Sequence, residues 1–99
     1  MVLKISFGGN YHFDYIYVPS EINLKKDKIR GCFYNWIDNT EDEHPFWEYE
    51  KGVRIGLNYR GDAIVYWLNN YILKDTKYKS RLIESFSSKK LYYDLVIKL

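Results

Sequence analysis

Ile29-Arg30-Gly31-Cys32-Phe33-Tyr34-Asn35-Trp36-Ile37 is the stretch on which the architecture of this 99-residue chain turns. With a period of two, Ile29, Phe33 and Ile37 share a face with Gly31 and Asn35, and Arg30, Cys32, Tyr34 and Trp36 take the other. Alternation over β-branched and aromatic residues predicts a strand.

Working outward, Val2 to Phe7 is apolar with β-branched content, and Gly8-Gly9-Asn10 is a turn signal. Tyr11 to Val18 then sets Tyr11, Phe13, Tyr15 and Tyr17 against His12, Asp14, Ile16 and Val18. These features predict an opening hairpin, closed by Pro19, which has no N–H for a ladder. After residue 37, the segment Asp38 to Glu50 breaks the pattern with Asn39-Thr40, a run of acids and Pro45. It reads as a loop with a short extended piece at Phe46 to Tyr49. Val53 to Tyr59 alternates again and predicts a strand.

Arg60-Gly61 turns the chain, and Asp62 stands where a helix N-cap belongs. Ile64, Trp67, Leu68, Tyr71 and Ile72 follow the spacing of an amphipathic helix. Tyr78, Leu82 and Phe86 recur every four residues, predicting a second helix from Asp75 or Thr76 to Phe86, stopped by Ser87-Ser88-Lys89-Lys90. Leu91, Tyr93, Leu95, Ile97 and Leu99 alternate as a last strand. The order β-β-β-β-α-α-β implies one α+β domain over residues 1–99. Its sheet is expected to be mainly antiparallel, of about five strands, with both helices on one face.

Composition narrows the function classes. Aromatic residues make up 19% of the chain, eleven of them Tyr, which suits both a thin core and a recognition surface. A net charge of +2 is too small to argue for a nucleic-acid or membrane partner. Lone Cys32 cannot form an internal disulfide, and no apolar run reaches the length of a membrane span, so a cytoplasmic protein is expected. His12 and His44 have no CxxC, HxxH or HExxH context, which argues against a metal site, and no cofactor motif is present. Cys32 with His12 would make a nucleophile and base, but a single strand cysteine more often packs as a small hydrophobe. Gly8-Gly9 lies between strands rather than before a helix, so it is no phosphate loop. Asp14 and Asp94 would make a carboxyl pair, yet strand carboxylates more often face solvent or blunt a sheet edge. No catalytic residue is assigned.

Charge segregation is the informative feature. Six acids and no Lys or Arg fall between Asp38 and Glu50, namely Asp38, Glu41, Asp42, Glu43, Glu48 and Glu50, with Phe46, Trp47 and Tyr49 among them. Carboxylates steer encounter with a basic cleft and aromatics anchor it. Asp38, Glu41, Asp42, Glu43, Phe46, Trp47, Glu48 and Tyr49 are therefore the predicted partner-binding residues. The opposite sign gathers at residues 25–30 and 74–90, with Lys74, Lys77, Lys79, Arg81, Lys89 and Lys90 in the second. Scattered over a helix surface, those lysines would serve solubility more than nucleic-acid binding.

Tyr17-Val18-Pro19-Ser20 with Leu24, then Cys32, the Asp38 to Glu43 acids and the Asp62 to Asn70 helix, is similar in order to a group of small bacterial immunity proteins. Such proteins are encoded beside polymorphic or contact-dependent growth-inhibition toxins. The resemblance covers roughly residues 15 to 70. It implies a non-catalytic inhibitor that occludes the active site of a cognate toxin, with a nuclease among the toxin classes such proteins meet. The basic C-terminal third departs from the strongly acidic inhibitors of nucleases. The alternatives are an accessory or phage-encoded protein that binds nucleic acid or a host defence protein, and a small enzyme or ligand binder built on Cys32, His12 or the tyrosines.

Overall fold

The stretch 29–37 is helical, not extended: α1 spans Lys26–Ile37. Spacing by four satisfies a strand face and a helix face alike, and Trp36 decides between them. In a strand it points away from Ile29, Phe33 and Ile37; at 100° per residue it joins them. All four are buried, and Arg30, Gly31, Cys32 and Asn35 face solvent. Cys32 is thus neither the buried hydrophobe nor the strand nucleophile that alternation suggested. Gly31 sits mid-helix with open space where a Cβ would go. Gly31→Ala is therefore expected to stabilise the protein by about 0.5–1 kcal/mol, measurable as a shifted urea midpoint. A loss of stability would contradict the helix.

The computed structural model describes residues 1–8, 11–20, 22 and 26–99. Gly9 and Asn10 of the expected turn, Leu24 and Lys25 lie outside these. The described elements are β1 (Val2–Ser6), β2 (Phe13–Tyr17), α1, β3 (Trp47–Glu50), β4 (Val53–Leu57), α2 (Gly61–Trp67), a π-helical turn (Leu68–Ile72), β5 (Arg81–Ser87) and β6 (Leu95–Lys98). The class is α+β with two helices, as expected. The order is β-β-α-β-β-α-β-β, which corrects the predicted one. Four strands form a mixed sheet in the order β5-β2-β1-β6, antiparallel except for the parallel pair β1 and β6. β3 and β4 form a separate antiparallel hairpin. The terminal strand is shorter than expected and forms an edge of this sheet, beside β1. Among the described residues no helix is long and apolar enough to cross a membrane.

The helix predicted for 75–86 is a correction of the same kind. Arg81–Ser87 pairs with β2 as an edge strand, and Tyr78, Leu82 and Phe86 are all exposed, so no stripe is buried. Two register shifts break its pairing with β2, and Phe86 within it has a positive φ of 51°.

One sheet face carries the core. Leu3, Ile5, Ile16 and Ile97 pack under Ile29, Phe33, Trp36 and Ile37 of α1 and Ile64, Trp67 and Leu68 of the second helical segment. The same face bears Asp14, fully buried. Its Oδ1 accepts from Arg60 Nε (2.9 Å), Arg60 Nη2 (2.7 Å) and the Phe86 N–H (2.9 Å). Its Oδ2 accepts from the Gly61 N–H (2.7 Å) and Ser85 Oγ (3.2 Å). A Cβ at Gly61 would fall 2.9 Å from both Asp14 Cβ and Oδ2, so only glycine lets α2 start this close to the sheet. Asp62 is not the N-cap the sequence suggested, a position taken by Arg60; it lies in the first turn of α2, its Oδ1 accepting from the N–H groups of Arg60 and Ala63. Asp94 instead ties β6 to β1, accepting from the Val2 N–H (2.7 Å) and Tyr92 OH (2.6 Å). Asp14 and Asp94 thus hold different elements together and are no carboxyl pair.

Candidate functional site

The acidic loop is fastened to the core by a histidine. Nε2 of buried His44 lies 2.8 Å from the Ile37 carbonyl, and Nδ1 lies 3.2 Å from the Phe46 nitrogen. Both contacts are met by one neutral tautomer, with the proton on Nε2 donated to Ile37 and Nδ1 accepting from Phe46. The imidazole stacks on Trp47 at 5.0 Å and tilts against Trp36 at 4.7 Å. The Trp47 indole N–H donates to the Asp42 carbonyl at 2.7 Å.

A second fastening comes from β4. The Arg54 guanidinium lies over the Trp47 ring at 4.3 Å, donates to the Thr40 carbonyl at 2.6 Å and pairs with Glu43 Oε1 at 2.7 Å. Tyr49 OH donates to Glu43 Oε2 at 2.7 Å and accepts from Arg54. The Tyr49 hydrogen bond, with help from Arg54, holds the Glu43 carboxyl below its ordinary pKa against the opposing effect of burial. A depressed carboxylate pKa contributes stability above the ordinary value and loses it as pH falls through the folded one. The Glu43 contribution to the clamp is therefore present at neutral pH and lost in acid. Lys51 and Gly52, both at positive φ, make the two-residue turn that reverses the hairpin.

These contacts sort the eight predicted partner-binding residues. Phe46 and Trp47 are turned inward: Phe46 packs against the core, and Trp47 lies between His44 and Arg54. They are no free anchors, because indole and phenyl rings gain more from burial here than from solvent. Glu43 and Tyr49 are exposed but locked to Arg54. Glu48 accepts from Asn58 at 3.0 Å. Asp38 and Glu41 are exposed, and their carboxylates have no hydrogen bond or ion pair among the described residues. Asp42 Oδ2 accepts from Tyr71 OH at 3.1 Å.

That last bond leads to residues the periodicity had placed in the core. The turn after α2 is widened, with the Leu73 N–H donating to the Leu68 carbonyl five residues back at 2.6 Å. One extra residue in a helical turn rotates everything after it. Leu73 becomes the buried residue, and Tyr71 and Ile72 swing out to 50% and 40% exposure. Tyr66 is also exposed and stacks on Trp36 at 5.8 Å, with Tyr71 at 5.8 Å from the same indole. Trp36 Nε1 is buried beside the Tyr71 hydroxyl without an acceptor in hydrogen-bonding geometry. It draws the Tyr71 pKa down, and burial with the Asp42 carboxylate outweighs it and pushes the pKa up. The sequence did hold a signal: on an unbroken α-helix apolar Leu73, nine residues after Ile64, would fall on the face opposite the stripe.

No family model, curated protein or solved structure matches the chain. Its surface must be read from its own chemistry. Among the described residues no three His, Cys, Asp or Glu side chains converge to hold a metal. Cys32 lies on the solvent face of α1, and His12 stacks on Phe86 at 4.2 Å. What the structure does bring together is Asp42 and Tyr71, with Tyr66 against the same Trp36 indole, while Asp38, Glu41, Ile72 and, on the hairpin, Tyr49, Val53 and Ile55 are exposed. Rigid aromatics with two rotatable angles, set among carboxylates, suit recognition of a protein with a basic surface.

Proposed function

We propose that the chain is an immunity-type inhibitor that binds a cognate protein toxin and covers its active site. The observation that carries a binding role is the exposed Tyr66, Tyr71 and Ile72 edge held against Asp42. Tyr66 and Tyr71 cover the Trp36 indole and still leave 37% and 50% of their surface outside, apolar area that a partner would gain. Charge supports a basic cleft as the surface met, and the order of motifs supports the immunity class. The interface is the acidic loop together with the turn after α2, so it extends beyond residues 38–50.

The test is co-expression with the product of the gene immediately upstream. Wild type is expected to restore growth and to form a complex seen by calorimetry. Tyr71→Ala is expected to weaken the complex by at least about 2 kcal/mol, or thirtyfold, as an anchor beside a desolvated rim does. Glu41→Lys with Asp42→Lys is expected to slow association and remove much of its salt dependence. No complex, or unchanged affinity in both variants, would sink this reading.

A further inference from the structure

We propose that the sheet face turned away from the helices binds single-stranded nucleic acid. Pairing register puts Lys4, Phe13, Tyr15 and Tyr17 on this face, with Val96 and Lys98 from β6. Arg81 joins them from β5, its guanidinium 5.4 Å from the Tyr17 ring. Residues 88–94 must run from the β5 edge to the β6 edge, and they cross this same face. Tyr15 is fully buried and donates its hydroxyl to the Lys89 carbonyl at 3.1 Å, which pins the crossing segment to the sheet. Its exposed residues are Ser88, Lys89, Lys90, Tyr92, Tyr93 and Asp94.

Five cations therefore share one surface with Phe13, Tyr17, Tyr92 and Tyr93. The acids among them are engaged: Glu84 lies 3.6 Å from Lys89, and Asp94 is held by Val2 and Tyr92. Lys4 Nζ sits 4.1 Å from the Phe13 centroid and 5.0 Å from that of Tyr93. Cations fixed beside rings are what a single strand needs, since phosphates meet the ammonium groups and splayed bases stack on the rings. The strap covers the middle of the sheet, so the stacking surfaces are its own exposed rings, Tyr92 and Tyr93. A duplex offers no splayed bases, and both helices lie behind the sheet where they cannot enter a groove. Lys89 and Lys90, which the sequence pattern places at the exit of a helix, lie instead on the strap across the sheet, and Arg81 lies on its edge strand.

Fluorescence anisotropy with 5′-labelled oligothymidylate and oligouridylate of about 20 nucleotides, against a hairpin duplex, tests this. Micromolar binding is expected at ~50 mM KCl, with a slope of log K on log salt of roughly −2 to −3.5 for three to five neutralised phosphates. Lys90→Glu with Lys98→Glu should weaken it at least about tenfold and flatten the slope. Tyr92→Ala should weaken it about fivefold with the slope kept, and Tyr92→Phe should restore it. Both sites are exposed, and circular dichroism confirms that each variant folds. Glu41→Lys in the acidic loop should leave affinity intact or raise it, which separates this surface from the toxin-binding one. No binding at ~100 μM protein would overturn the proposal. So would equal binding of duplex or polyglutamate, or a Tyr92→Ala variant of full affinity.

Discussion

An Asp14→Ala variant is expected to lose about 3–5 kcal/mol of stability, the largest effect of any single polar substitution in this chain. Five donors converge on its buried carboxylate, from Arg60, Gly61, Ser85 and Phe86. Removing the acceptor leaves the buried Gly61 N–H unpaired and the Arg60 charge between the rings of Phe7 and Phe86 without its counterion. Arg60 retains 27% side-chain exposure and can turn partly to water. The backbone N–H groups cannot. At roughly 4–8 °C per kcal/mol for a domain of this size, thermal unfolding followed by circular dichroism would drop by more than about 12 °C. A drop under about 3 °C would mean that the donors find water, and the knot would not be a stability element. Arg60→Met in a double-mutant cycle with Asp14→Asn should give a coupling above about 1.5 kcal/mol. The consequence reaches the proposed interface, because this knot fixes where α2 begins and hence where Tyr66 and Tyr71 emerge.

Asp14 shows where the sequence misleads. A carboxylate between Phe13 and Tyr15 reads as solvent-facing, because periodicity records the face and not the donors that other segments bring to it. Those donors come from residues 46 to 72 positions away in the chain. Elements whose stripe admits one period were legible: the opening hairpin, Val53 to Leu57, and the helix after Asp62. Residues 29–37 and 78–86 were not, since apolar spacing by four fits both a strand face and a helix face. In the first, Trp36 tipped the balance toward a helix because a second helix was there to cover it. In the second, Ile83 and the serines at 85 and 87 disfavour a helix, and β2 offered an unpaired edge.

The candidate site was legible as charge and not as surface. That residues 38–50 form an acidic, aromatic segment was visible; which of its rings would turn inward was not. His44 made that choice, by bonding Ile37 and stacking on Trp47. Tyr71 and Ile72 escaped notice because the amphipathic pattern assigns them to the core until a single π-type hydrogen bond shifts the stripe to Leu73.

Phe33→Ala is the second substitution expected to cost about 3–5 kcal/mol, as large apolar truncations in a closed core do. Phe33 is 1% exposed. Its ring meets Tyr34, Trp36, Tyr59 and Trp67 at centroid distances of 5.6 to 6.1 Å, three helical neighbours and one from the segment after β4. Edge-on contacts to Tyr59 and Trp67 couple α1 to α2, so the cavity opens where the two helices join and cannot close by moving either alone. Cys32→Ala, one residue away on the solvent face, should change stability by less than about 0.5 kcal/mol. Trp36→Ala should match Phe33→Ala in size, which a strand cannot explain, because neighbours three apart would then face opposite ways. Denaturant midpoints for the three variants separate the cases. A small effect at Trp36 beside a large one at Phe33 would restore the extended reading of residues 29–37 and dissolve the platform on which Tyr66 and Tyr71 rest.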